Sequence, residues 1–187
     1  RRSCGRRPCG HPRCGPCAAP PPGPAAITQE VPLGLEDPAA YIPADNPPTA
    51  KKIELGRLLF FDKRLSKTNT VACANCHMPG LAFTDGQSVS MGINRLQGGR
   101  SAPTAINRVY SKVQFWDGRA QTLEEQSTGP FINPVEHGFL DYDEMTAKLK
   151  KLSGYRKLFL ETVTQADKGV DFEFLRAPNI QGRVPSK

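Results

Sequence analysis

Cys73-Ala74-Asn75-Cys76-His77 places two thiols and an imidazole within five residues. On a helical turn, positions i, i+3 and i+4 share one face. Both sulfurs can then add to the two vinyl groups of one porphyrin while the imidazole meets its iron. The spacing is C-x-x-C-H, the attachment pattern of c-type haem. Cys73, Cys76 and His77 are therefore the expected cofactor-binding residues, with His77 as the metal ligand and one covalent haem c in this chain. Two other readings compete: a buried structural cysteine pair beside a stray histidine, and a redox dithiol. The dithiol wants a βαβ context that the flanking sequence lacks. Composition agrees with haem. With 18 Pro, 17 Gly and only 7% aromatic residues, a loop-rich chain needs a large flat apolar filler to complete its core.

Working outward, Thr49 is an N-cap residue. It opens a predicted helix near 50–62 whose apolar face is Ile53, Leu55, Leu58, Leu59 and Phe61. A short helix near 70–77 carries the cysteines. Residues 79–100 contain Pro79, Gly80, Gly86, Gly92, Gly98 and Gly99, so they form a long loop, and long loops in compact domains are usually functional. Thr122-Leu123-Glu124-Glu125 and Asp141-Tyr142-Asp143-Glu144 read as capping boxes opening two further helices. Met145, Leu149 and Leu152 form one face of the second. Another short helix covers roughly 155–163. No period-two strand pattern persists. The expected class is all-α, a c-type cytochrome domain with short helices and long loops around one haem.

The organisation expected is a head at 1–26, a Pro-rich arm at 27–48, a haem domain at 49–165 and an irregular tail at 166–187. The net charge of +7 comes mostly from the head, which holds five arginines and no acid; the rest carries 20 basic against 18 acidic residues. That balance offers no basic stripe for nucleic acid and no cationic amphipathic helix for a membrane surface. No apolar run approaches the roughly 20 residues that span a bilayer. Cys4, Cys9, Cys14, Cys17 and His11 could suggest zinc or a disulfide knot. Their spacing matches no common finger, however, and they have no apolar company. Arg/Gly/Pro/Ala/Cys is also what an out-of-frame reading of GC-rich DNA tends to produce, so the head is expected to be disordered or non-native. The chain begins at Arg1 without an apolar h-region, so the true N-terminus is expected to lie elsewhere.

Five blocks in order then resemble the N-terminal haem domain of bacterial di-haem cytochrome c peroxidases and of the related enzyme that matures a tryptophan-derived quinone. They are ELGRLLFFDKRLS (54–66), VACANCH (71–77), GGRSAPTAIN (98–107), QFWDGRAQTLEEQ (114–126) and GPFINPVEHG (129–138). The likeness runs from about Ile42 to about Val163. It implies that Glu136 sits on the distal side of the haem, where peroxide binds. A carboxylate there can take a proton from one oxygen and return it to the other. It also implies that Gln126 lies near the same oxygen and that Trp116 relays electrons between haems, or else packs in the core against haem. Arg119 is expected to be structural, pairing with Asp117 or a haem propionate, and His137 to be a loop neighbour rather than a ligand.

The resemblance further implies hydrogen peroxide as substrate, a small cytochrome or cupredoxin as electron donor, a periplasmic location and room for a homodimer. Departures matter too. The family's switching histidine falls at Ile93, which cannot ligate iron, so an open or water-bound iron without a reductive switch is expected unless Met91 reaches it. Ser101, after Arg100, is a poor calcium ligand, which makes calcium doubtful. No second C-x-x-C-H is present, so this chain reads as the peroxidatic half. The alternatives are a mono-haem electron carrier and a fragment that oxidises a partner protein. An open iron near Glu136 separates the enzyme from the carrier.

Overall fold

The structure is a computed structural model and describes residue 31, residues 33–43 and residues 46–162. The expectations for the head, for part of the Pro-rich arm and for the tail, including zinc or disulfides at Cys4, Cys9, Cys14 and Cys17, lie outside the described residues. Within them the chain is helical: α1 (Ala50–Phe61), α2 (Cys73–Cys76), α3 (Leu123–Ile132), α4 (Tyr142–Lys151) and α5 (Ser153–Thr162), joined by loops with short 3-10 turns. Among the described residues the only β pairings are three isolated bridges.

The helix starts follow local chemistry. Thr49 Oγ1 accepts from Lys52 N at 3.2 Å, Thr122 Oγ1 from Glu125 N at 3.1 Å, and Asp141 Oδ1 from Glu144 N at 2.8 Å. Each satisfies an orphan donor of the first turn. Glu125 and Glu144 reach back in turn, one residue beyond the cap, to the N–H groups of Gln121 and Leu140, each at 2.7 Å. The predicted helix at 70–77 is a single turn beginning at Cys73. Ser66 Oγ captures the N–H groups of Thr70 and Val71 and holds them outside the helix. Asn75 Oδ1 takes the N–H of Ala72 and caps the turn.

The core gathers Leu55 and Leu59 of α1, Leu65, Phe131 of α3, Phe139, Met145 and Leu149 of α4, and Tyr155 and Phe159 of α5. Helix α5 packs on α1 and α4, and α4 on α3. The Met145/Leu149 face points inward as its spacing requires, with Leu152 half-buried at the helix end. Phe61 differs from expectation. It is 44% exposed, because a helix turns 100° per residue and the inward arc belongs to Leu55 and Leu59. Phe60 and Phe61 instead face an adjoining cavity. This packed helical side leaves α2 and the loops at 79–119 to build the other side of the molecule.

Candidate functional site

A cavity of about 550 Å³ lies between α1, α2, α3 and the loops, within the roughly 300–1,000 Å³ usual for ligand sites. The structure brings all six sequence-predicted site residues onto its wall: Cys73, Cys76, His77, Trp116, Gln126 and Glu136.

One end is the haem-motif turn. Cys73 and Cys76 are free thiols. Desolvation, with repulsion from Cys76 and Glu136, pushes the Cys73 thiol up to about 12; desolvation, with Asp85 and Glu136 nearby, pushes Cys76 up to about 11. A redox dithiol needs the opposite, a thiol made acidic by its surroundings, so the site does not suit that competing reading. His77 Nδ1 lies 3.0 Å from Phe83 O. A carbonyl can only accept, so Nδ1 carries the proton and Nε2 keeps its lone pair for a ligand. The chain reaches this geometry through residues 82 and 83, both at positive φ (52° and 57°). Two thiols, an imidazole held by its Nδ1 contact and an apolar wall that includes Phe60 and Phe61 fit a covalently held haem.

Glu136 stands in the loop after α3 and is half-buried. Burial raises its pKa, while the charge of Arg119 and a hydrogen bond from Asn133 pull it back. That bond runs from Asn133 Nδ2 to Glu136 Oε1 at 2.7 Å. Asn133 Oδ1 accepts from Val135 N at 3.0 Å, which fixes the amide. Sequence reasoning quoted Asn133 within the GPFINPVEHG block but assigned it no task; the signal was an amide three residues before the carboxylate, in reach across a turn.

The neighbouring loop is clasped onto Glu136. Ile93 N donates to Val135 O (3.0 Å) and Glu136 O (3.1 Å). Ile93 is buried, and its side chain fills the space beside Gly138. Gly92 leaves no room for a Cβ, which would lie 1.8 Å from Val135 O. Met91 is 45% exposed and lines the cavity.

Gln126, on α3, is half-buried and faces the cavity. Trp116 is 62% exposed and lines the cavity; its Nε1 donates to Ser101 O at 2.9 Å. Arg119 pairs with Asp117 at 2.8 Å and stacks 3.5 Å above the Phe115 ring. Asp117 is held down at about 2, chiefly by Arg100 and also by Arg119. His137 is buried; its Nδ1 donates to Leu65 O at 2.7 Å and its ring lies edge-on to Phe131. Burial lowers its pKa, so it is a neutral packing group. Its Nε2 reaches only as far as Cys73 Sγ, at 3.9 Å.

Residues 50–177 match the family model described as di-haem cytochrome c peroxidase. The chain is 39% identical over 144 residues to cytochrome c peroxidase Ccp of Escherichia coli, covering 77% of this chain and 31% of that protein. It is 39% identical over 119 residues to methylamine utilization protein MauG of Methylophilus methylotrophus, covering 64% of this chain and 35% of that one. It thus spans about a third of the length of these relatives. Among solved structures it resembles a MauG-like protein associated with microbial copper homeostasis, with a TM-score of 0.66 and 33% identity over 73% of this chain and 40% of that chain.

Proposed function

Because the chain belongs to the di-haem cytochrome c peroxidase family, we propose that it is the peroxidatic part of such an enzyme, reducing hydrogen peroxide with electrons from a small redox protein. One observation carries this reading: a single cavity joins the Cys73/Cys76/His77 turn to a half-buried carboxylate, Glu136.

A bound haem would supply the redox-active iron. Cys73 and Cys76 would hold it covalently, and His77 would ligate it through Nε2. The chain's own part is proton handling. Reducing one peroxide to two waters consumes two electrons and two protons. Glu136 would take the proton from one peroxide oxygen and return it to the other, so that water leaves. Desolvation supports this role, since it brings a carboxylate nearer to neutral pH, where an acid–base group works best. Asn133 fixes the carboxylate rotamer. Gln126 is the neutral amide available to hydrogen-bond the substrate. Trp116, on the cavity wall, would relay electrons to the haem. Covalent haem attachment in bacteria occurs outside the cytoplasm, so a periplasmic location accompanies the reading.

The test is the absorption spectrum of the ferric protein before and after peroxide, in wild type and Glu136→Gln. An open iron is expected, with a peroxide-dependent spectral change that slows about 10²- to 10⁴-fold in the variant. A low-spin His/Met spectrum that peroxide leaves unchanged would instead make the chain an electron carrier, with Met91 as the ligand.

A further inference from the structure

We propose that Arg108, held in place by Gln114, anchors a propionate of the haem; the inference rests on the haem reading above. Four guanidinium groups line the cavity: Arg57, Arg100, Arg108 and Arg119. Three already have a carboxylate. Arg57 pairs with Glu54 at 2.6 Å, Arg100 with Asp117 at 2.7 Å, and Arg119 with the same Asp117 at 2.8 Å. Arg108 pairs with no carboxylate among the described residues.

Its partners are neutral acceptors. Arg108 Nε and Nη2 donate to Gln114 Oε1 at 3.2 and 3.0 Å, and Nη2 also to Val113 O at 3.4 Å. Gln114 is only 3% exposed. Its Nε2 donates to Ser111 O at 3.2 Å, and its backbone N–H bridges to Ala120 O at 2.8 Å. The amide cannot turn over without setting its own N–H against a guanidinium, so its oxygen stays on Arg108. A guanidinium has five donors in a rigid fork. Gln114 and Val113 occupy the Nε/Nη2 edge and leave the Nη1 side for another acceptor. A half-buried cation met only by neutral acceptors is costly unless an anion joins it.

Haem carries two propionates, on different pyrrole rings from its vinyl groups. Fixing the vinyls at Cys73 and Cys76 sends both carboxylates to another part of the cavity wall. Arg108 is the cationic group on the cavity wall whose charge no carboxylate among the described residues balances, and its remaining Nη1 side can give a propionate a strong, charge-assisted hydrogen bond. A positive charge beside a propionate also favours the reduced, less positive haem, so Arg108 tunes the potential as well as the pose.

The experiment uses the full chain expressed with haem-attachment machinery. Midpoint potential is read by spectroelectrochemistry and propionate bending by resonance Raman. In Arg108→Gln the ferric/ferrous equilibrium should move at least about tenfold toward ferric, a fall of about 59 mV for one electron, with a shifted propionate band. Gln114→Leu should move both readouts the same way by less, and Arg108→Lys should stay near wild type. An unmoved potential and propionate band in haem-loaded Arg108→Gln overturns the assignment, as does a fall in Arg108→Lys equal to that in Arg108→Gln. Should Arg108→Gln fail to accumulate, the other two variants decide by the same readouts. Absence of covalent haem from the wild-type chain would remove the underlying reading instead, so the two failures look different.

Discussion

Replacing Gly138 by alanine tests whether the Ile93 clasp sets the Glu136 loop. Gly138 has φ +75°, and a Cβ there would lie 2.1 Å from Ile93 Cδ1 and 3.2 Å from Cγ1. The left-handed backbone alone costs a non-glycine residue about 1–2 kcal/mol. Forcing a methyl into a filled site adds about 1–3 kcal/mol. Gly138→Ala should therefore destabilise the haem-loaded protein by about 2–5 kcal/mol in urea unfolding followed by circular dichroism. Ile93→Val removes Cδ1, the atom in the way, at its own cost of about 0.5–1.5 kcal/mol. The steric part of the Gly138→Ala penalty should then largely go in the double variant, with only the 3.2 Å Cγ1 contact left, and its backbone part remain. The double variant should come out about 1–3 kcal/mol less destabilised than the sum of the singles. Because Ile93 N–H also binds Val135 O and Glu136 O, the peroxide reaction should slow in Gly138→Ala and partly recover in the double variant. Additivity within about 0.5 kcal/mol would show that the two side chains do not compete for one space, and the clasp argument would fail.

Phe159, 1% exposed at the centre of the core, should cost about 3–5 kcal/mol when replaced by alanine, measured by urea unfolding of the same haem-loaded chain. Asn133→Ala removes a donor that favours ionised Glu136, so the ascending limb of peroxide reactivity against pH should move to higher pH; an unmoved limb would detach Asn133 from the carboxylate. The linked stability has a definite sign. Burial raises the pKa of Glu136 in the folded state, so its contribution is full below the unfolded carboxylate range and is lost as pH rises through the folded value. Glu136→Gln should flatten that part of the stability–pH curve, a comparison that thermal melts across pH 4–8 would make, with ~4.3 as the unfolded reference.

Much of this molecule is local enough to be legible in the chain. The haem turn depends on residues within five positions. The caps at Thr49, Thr122 and Asp141 depend on side chains reaching three residues ahead, and the buried face of α4 depends on helical period alone. What the chain by itself determined is therefore the helical class, the starts of α1, α3 and α4 and the placement of two thiols and an imidazole on one turn. Tertiary structure decided the rest, because each remaining feature joins segments far apart in sequence. Leu65 O and Phe131 make His137, a loop neighbour of Glu136, a buried neutral group. Ile93 binds the backbone beside Glu136. Phe61 turns to the cavity because α5 packs on α1. Asp117 pairs with both Arg100 and Arg119, while Arg108 meets no carboxylate among the described residues. Periodicity tells which face of a helix is apolar; burial and charge balance emerge only when the chain has closed on itself, since desolvation and pairing belong to the space that several segments enclose together.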